Sequence, residues 1–215
     1  MWFGVKRSSF IYQFTRKIAR WVFSIFYRIE IKPEGIFPDR GPVIILPKHQ
    51  YWTDIPLVSL AFKSLLYFIA KKELFKYPFL RGYLSLVGGI PVDRQRSIRS
   101  LDSFKILPSL LRAGEKIVLF PEGTYVRDVV GSGKSRLIEM ILRFQSELKD
   151  PIPFVPVGIR YGKRVGWRRR VEICVGHPLF RERASDAIPL TNQVMKEISC
   201  LCRLPQCTDR MAQSA

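Results

Sequence analysis

Short apolar runs alternate with longer stretches of helical spacing along most of the chain. Six of these runs are too short for helices and rich in β-branched residues, a combination that predicts strands. They cover residues 43–46, 65–70, 88–92, 116–120, 153–159 and 170–175. Apolar residues at i, i+3 and i+4 predict helices at 73–87, 97–114, 134–148 and about 191–202. The alternation predicts an α/β fold with a central, mostly parallel or mixed sheet flanked by helices.

The N-terminal segment has a different pattern, in which aromatic and cationic residues are interleaved. On a helix, its apolar residues share one stripe (Phe14, Ile18, Trp21, Val22, Ile25) and its cations lie off that stripe (Arg16, Lys17, Arg20, Arg28). Such a helix either packs on its own domain or lies in a membrane interface, and an aromatic face opposite a cationic face favours the membrane. We therefore predict a membrane-interface helical segment at residues 1–30 and an α/β domain at residues 31–215. A Pro/Gly-rich link is predicted near residues 30–40.

The charge of the chain restricts its partners. It carries 36 Lys and Arg against 18 Asp and Glu, a formal net charge of +18. Such a surface attracts polyanions, including nucleic acid, anionic membranes and phosphorylated ligands. No nucleic-acid reading motif is recognisable, and the N-terminal aromatic residues favour lipid. The longest apolar stretch, residues 55–70, is short for a membrane span and carries Lys63 at its middle. We expect a peripheral or monotopic protein on the cytoplasmic face of a membrane.

The cysteines and a glycine-rich stretch are interpreted without metal or nucleotide chemistry. The four cysteines are Cys174, Cys200, Cys202 and Cys207. They lack the paired knuckles of a structural zinc site and are interpreted as reduced thiols, so we expect no metal and no cofactor. Residues 131–135 resemble the end of a P-loop, but Asp128 stands where that motif requires glycine.

The first candidate site follows the strand predicted at 43–46. His49 and Asp54 are five positions apart, which on one regular helix would turn them to different sides. If His49 lies in the turn after the strand and Asp54 in the first turn of a helix, the carboxylate can hold the Nδ1 proton and leave Nε2 free as a base. No G-x-S-x-G serine or nucleophilic cysteine accompanies the pair, so the nucleophile is expected to be a substrate hydroxyl. The alternative is a histidine and an acid that cap a helix.

Two further segments supply candidate contacts for that substrate. Gly123, after the strand at 116–120, allows the backbone to approach a ligand closely, and Glu122 and Thr124 offer hydrogen bonds to a polyol. Arg94, after the strand at 88–92, could bind a phosphate bidentately. The alternatives are an ordinary turn and a solvated arginine. A fourth segment, residues 153–161, is apolar and is interpreted mainly as core.

Together and in this order, the four segments resemble the glycerolipid acyltransferase family, whose best-known members are the 1-acylglycerol-3-phosphate (lysophosphatidic acid) acyltransferases. The His-x4-Asp motif of the family matches His49 to Asp54, and its Gly-x-Ile-Pro-Val-Asp-Arg strand matches residues 88–94. Its Phe-Pro-Glu-Gly-Thr-Arg motif matches residues 120–125, and its Val-Pro-Val strand matches residues 155–157. The resemblance covers roughly residues 40–180.

The resemblance implies transfer of a fatty acyl group from acyl-CoA or acyl carrier protein to the hydroxyl of a lysophospholipid. The most direct acceptor is 1-acylglycerol-3-phosphate, which gives phosphatidic acid, and the chemistry needs no metal. In this scheme His49 is the general base and Asp54 orients it. The residues implied at the acceptor are Arg94 for its phosphate, with Glu122, Gly123 and Thr124 shaping its site.

The chain also departs from the family pattern near the acceptor. Tyr125 stands where the family has arginine, and Arg127 is a candidate substitute for it. Lys48 precedes the histidine, where the family has asparagine. These changes leave open a different acceptor, either another lysophospholipid or an amino-acid lipid. A non-catalytic basic protein that binds membranes or nucleic acid is the remaining alternative, supported by the charge and by clusters such as residues 162–170.

Overall fold

A seven-stranded sheet forms the centre of the computed structural model, which describes residues 7–92, 106–148 and 150–207. The strands are β1 (Tyr27–Pro33), β2 (Val43–Pro47), β3 (Leu66–Lys71), β4 (Gly89–Val92), β5 (Lys116–Val118), β6 (Phe154–Val165) and β7 (Arg168–Val175). Their order in the sheet is β1-β7-β6-β2-β5-β3-β4. Adjacent strands are parallel except for the antiparallel β6–β7 hairpin. The predicted α/β class and mixed central sheet are confirmed.

Helices cover both faces of this sheet. They are α1 (Ser9–Phe26), α2 (Asp54–Ala61), α3 (Pro78–Leu86), α4 (Ile106–Arg112), α5 (Arg136–Gln145) and α6 (Ala187–Cys202), with short 3₁₀ turns at Lys72–Phe75 and Ala184–Asp186. Successive residues of β2 belong to different core clusters, with Ile44 packed among residues of α4, α5 and α6, and Ile45 among residues of α1 and α2. Because both faces are buried, this strand is a continuous apolar run rather than an alternating one.

Strand β1 was not predicted from the sequence. It pairs in parallel with β7 from Tyr27 opposite Arg169 to Pro33 opposite Val175. It lies at the sheet edge, all seven of its residues are partly or fully exposed, and charged residues alternate with apolar ones. Because of these features, the sequence pattern predicts a Pro/Gly-rich link near residues 30–40, where the second half of β1 lies. The boundary proposed after residue 30 falls within β1, and the division into two segments stays a prediction.

Helix α1 buries one side on the domain and exposes another. Tyr12 and Phe23 are buried against the domain, and the Arg16 guanidinium donates hydrogen bonds to two backbone carbonyls after α2. A second stripe that includes Phe14 and Trp21 is exposed to solvent. The helix therefore packs on its own domain and still presents an apolar stripe, whose contact with a membrane stays a prediction. Among the residues described, no helix combines the length and apolarity needed to cross a membrane.

Candidate active site

His49 and Asp54 meet at the carboxyl edge of the sheet. Strand β2 ends at Pro47, His49 lies in the loop that follows, and Asp54 is the first residue of α2. The His49 Nδ1 and Asp54 Oδ2 atoms are 3.2 Å apart. The same Oδ2 accepts hydrogen bonds from the backbone N–H groups of Gln50 and Tyr51 at 2.5 and 2.7 Å. The loop thus folds around the carboxylate, and the carboxylate fixes the imidazole.

The contact with Asp54 determines which imidazole nitrogen is available. A carboxylate beside Nδ1 favours the tautomer that carries the proton there and leaves the Nε2 lone pair free. Within the described part of the chain, no group forms a hydrogen bond with Nε2. The ring stacks on Phe120, with centroids 3.8 Å apart, and Tyr125 lies across it at 4.4 Å. An aromatic wall therefore fixes the plane of the ring without occupying Nε2.

Tyr161 completes the environment of Asp54. Its hydroxyl donates to Asp54 Oδ1 at 2.6 Å and lies 2.7 Å from the hydroxyl of Thr53. Burial raises the pKa of Tyr161 far above its ordinary value, and the charge of Asp54 raises it further. The phenol therefore stays protonated and acts as a hydrogen-bond donor. With three donors besides the imidazole, the buried carboxylate has a partner for each oxygen.

Lys48 and Glu122 form an ion pair beneath the histidine. Lys48 is fully buried and Glu122 is 2% exposed, and the Lys48 Nζ lies 2.8 Å from both oxygens of the carboxylate. The Glu122 carboxylate also accepts hydrogen bonds from the backbone N–H groups of His49 and Gly131, at 2.9 and 2.8 Å. The Lys48 ammonium donates further to the Val126 carbonyl at 2.7 Å. The pair ties the His49 loop to the loop after β5.

The residues predicted to contact the acceptor differ in burial. The carboxylate of Glu122 is enclosed by its partners, so it supports the His49 loop, whereas the sequence predicted a contact with the acceptor. Gly123, at φ +69°, and the exposed Thr124 lie in the turn that follows. Arg127 is exposed, with its guanidinium carbon 5.0 Å from the ring centroid of Tyr51. Arg94 lies outside the described residues.

Neither Tyr161 nor the partner of Lys48 could be identified from the sequence. Tyr161 belongs to a segment interpreted as core, although a tyrosine two residues after the apolar run at 153–159 can face the same edge as His49. Nothing in the sequence links Lys48 to a carboxylate 74 positions away.

All four cysteines are free thiols, and they differ in burial. Burial raises the pKa of the Cys202 thiol to about 12, and Cys174 is also buried, while Cys200 and Cys207 are exposed. In the part of the chain that is described, no group of three or more His, Cys, Asp or Glu side chains could hold a metal ion.

Comparison with known proteins gives a consistent picture. The family model described as Acyltransferase matches residues 28–160. A 1-acyl-sn-glycerol-3-phosphate acyltransferase from Bacillus subtilis is 24% identical over 203 residues, which are 87% of this chain and 96% of that protein. A lyso-ornithine lipid O-acyltransferase from Pseudomonas aeruginosa is 35% identical over 95 residues, which are 44% of this chain and 35% of that protein.

A solved structure shares the fold. The crystal structure of the 1-acyl-sn-glycerophosphate acyltransferase PlsC from Thermotoga maritima superposes with a TM-score of 0.59 and 22% sequence identity. The match covers 87% of this chain and 79% of the Thermotoga chain. The sheet and its flanking helices are therefore a known arrangement.

Proposed function

The chain belongs to the glycerolipid acyltransferase family, and on that premise we propose that it acylates the free hydroxyl of a lysophospholipid. The preferred acceptor in this proposal is 1-acylglycerol-3-phosphate, and the product is phosphatidic acid. The donor is acyl-CoA or acyl carrier protein. The observation that carries the proposal is the 3.2 Å contact between His49 Nδ1 and Asp54 Oδ2, with Nε2 unoccupied by any described group.

The proposed reaction uses this contact between His49 and Asp54. His49 Nε2 accepts the proton of the acceptor hydroxyl while the hydroxyl oxygen attacks the thioester carbonyl. The tetrahedral intermediate collapses, the C–S bond breaks, and the leaving thiolate receives the proton from the imidazolium. Asp54 holds the Nδ1–H and stabilises the positive charge that develops on the ring. No acyl-enzyme is formed, because the attacking hydroxyl belongs to the acceptor.

In the proposed acceptor site, the turn after β5 meets the headgroup. Gly123 stays a proposed backbone contact, Thr124 offers a hydroxyl, and the exposed Arg127 offers a guanidinium for a phosphate. Arg94 stays a proposed phosphate contact. Glu122 acts through the backbone of His49, to which it is bonded at 2.9 Å, and is therefore a positioning residue.

A second acceptor class has its own support. Tyr125 occupies the position of the family's arginine and lies 4.4 Å from the imidazole, centroid to centroid. A phenol in place of a guanidinium weakens the selection for a phosphate monoester. Since some relatives are named for lyso-ornithine lipid, an amino-acid lipid is the alternative acceptor.

We also propose peripheral membrane association through α1. The aromatic stripe that includes Phe14 and Trp21 is exposed, and a lipid interface would cover it.

A panel assay tests the proposal. Purified protein is mixed with labelled acyl-CoA, or with acyl carrier protein, and with lysophosphatidic acid, other lysophospholipids or lyso-ornithine lipid. We expect diacyl product from lysophosphatidic acid, and product from only another acceptor would contradict that preference. His49→Ala should lower kcat by at least about 10³-fold, whereas the matched variant at the exposed second histidine, His177→Ala, should retain full activity. Equal activity of the two variants would contradict the assignment of the base.

A further inference from the structure

The β6–β7 hairpin projects beyond the rest of the sheet. Strand β2 covers β6 only up to Val157, and β1 begins to pair with β7 at Arg169. Residues 163–168, called here the hairpin tip, have no strand partner outside the hairpin among the described residues: Val165 pairs with Arg168, and Arg164 pairs with Arg169. Gly166, at φ +65°, and the following residue form a two-residue turn with glycine first, which is the sequence that a type II′ turn requires. The tip is therefore a short, defined projection rather than a loose loop.

The tip combines apolar and cationic side chains. Val165 is 60% exposed and Trp167 is 63% exposed, so the two apolar residues at its end lie in water. Lys163, Arg164 and Arg168 are exposed around them, and no acid among the described residues lies within ion-pair distance of any of the three. The Arg168 guanidinium carbon is 4.8 Å from the Trp167 ring centroid. Tryptophan beside lysine and arginine is the composition found where a protein meets the bilayer interface.

The tip also borders the active-site region. A cleft of about 340 Å³ lies between the hairpin, the C-terminal end of α1 and the loop that carries His49. Its lining includes Arg164 and Trp167 from the hairpin, Phe26 from α1, and Trp52 from the loop. A surface that receives the tip would therefore receive the mouth of this cleft as well.

We propose that the hairpin tip is a second membrane-docking element, distinct from α1, that inserts into an anionic phospholipid surface. Trp167 and Val165 enter the interface, and Lys163, Arg164 and Arg168 bind lipid phosphates. An acidic protein or a nucleic acid would satisfy the cations but would leave the two apolar residues exposed, and a neutral apolar partner would leave the cations unpaired. A bilayer with anionic headgroups satisfies both. The inference rests on the proposed function only in that the acceptor is a lipid.

Fluorescence of Trp167 tests insertion directly. The full chain with Trp2→Phe, Trp21→Phe and Trp52→Phe retains this single tryptophan. It is mixed with vesicles of phosphatidylglycerol and phosphatidylcholine that carry bromine on their acyl chains. We expect a blue shift and quenching by the bromines. If the protein sediments with these vesicles while Trp167 emission is neither shifted nor quenched, α1 binds alone and the inference is overturned.

Charge removal tests the cationic ring. Lys163→Ser/Arg164→Ser/Arg168→Ser should weaken partition to the anionic vesicles on the order of 100-fold. The matched triple variant Arg40→Ser/Arg183→Ser/Lys196→Ser removes the same number of exposed charges elsewhere and should weaken it far less. Equal losses would show a general charge effect and overturn the inference.

The apolar end has its own control. Val165→Ser/Trp167→Ser should weaken vesicle binding by at least about 10-fold, because tryptophan contributes a large apolar area. Ile188→Ser, at a residue equally exposed at 63%, should not. Unchanged vesicle binding together with lost binding to an oligonucleotide or an acidic protein would overturn the inference.

All these measurements detect binding, so a protein that docks but transfers no acyl group would refute the proposed reaction and leave the docking element in place.

Discussion

Lys48→Met breaks the buried ion pair with Glu122 while keeping an unbranched side chain that extends to the Cε position. The Lys48 Nζ atom is fully buried and lies 2.8 Å from both carboxylate oxygens. Its removal leaves the Glu122 carboxylate in the interior, with the N–H groups of His49 and Gly131 as its remaining donors among the described residues. Breaking a buried pair from one side costs about 3–5 kcal/mol, because the remaining charge has lost its counter-charge but not regained water.

Urea unfolding followed by circular dichroism measures this cost. With a slope of about 2 kcal/mol per M, a loss of about 4 kcal/mol moves the midpoint down by about 2 M. The free energy of unfolding of a single domain is typically about 5–15 kcal/mol, so the variant should still fold at low temperature but with a lower free energy of unfolding. Activity should fall as well, since the loop that carries His49 is fixed through the same carboxylate.

Two controls separate the buried pair from a general effect of losing a lysine. Lys48→Met/Glu122→Gln replaces the stranded carboxylate by a neutral amide and should recover at least about 2 kcal/mol relative to Lys48→Met. Arg143→Met breaks the exposed pair with Glu139 on α5 and should cost less than about 0.5 kcal/mol. A double variant no more stable than Lys48→Met, or equal costs for Lys48→Met and Arg143→Met, would refute the reasoning.

Three further predictions concern the site and its support. Tyr161→Phe removes the hydroxyl that donates to Asp54 and should lower kcat by about 10-fold, because the carboxylate that orients His49 loses a partner. Tyr12→Phe removes a buried hydroxyl elsewhere and should leave kcat unchanged, and equal kcat values for the two variants would contradict the role of Tyr161. Arg127→Ala should raise KM for an anionic lyso-lipid about 10-fold with little change in kcat, and an unchanged KM would remove this residue from the acceptor site. Gly158→Ala places a Cβ 2.6 Å from a side chain of α6 and should cost about 3 kcal/mol in urea unfolding.

The central strands could be predicted because burial on both faces makes them continuous apolar runs. The runs at 43–46 and 170–175 correspond to β2 and β7 with boundaries shifted by one or two residues. Strand β1 could not be predicted in this way. It is an edge strand with charged residues on its exposed side, and its only strand partner among the described residues is β7, more than 130 positions away.

The same distinction between local and distant contacts applies to the site. His49 and Asp54 are joined by one loop, so their spacing predicts that they meet. Tyr161 reaches Asp54 because β2 and β6 pair in parallel with Pro47 opposite Val157, which places the loop after β2 beside the part of β6 that continues past Val157. That register depends on the whole sheet and is not visible in either strand.

Lys48 and Tyr125, the two departures from the family motifs, give His49 one charged neighbour and one aromatic neighbour. Lys48 lies beneath the loop and is neutralised by Glu122, so its charge is not available to an acceptor. Tyr125 lies against the imidazole ring itself, where it offers an aromatic face. Of the described cations, Arg127 is the candidate nearest in sequence to this turn, and it lies at the exposed rim. In the proposed reaction, Arg127 at the exposed rim binds the charge of the headgroup, and the proton is transferred beside the aromatic rings that surround His49. For this reason Arg127→Ala should change KM, whereas Tyr161→Phe should change kcat.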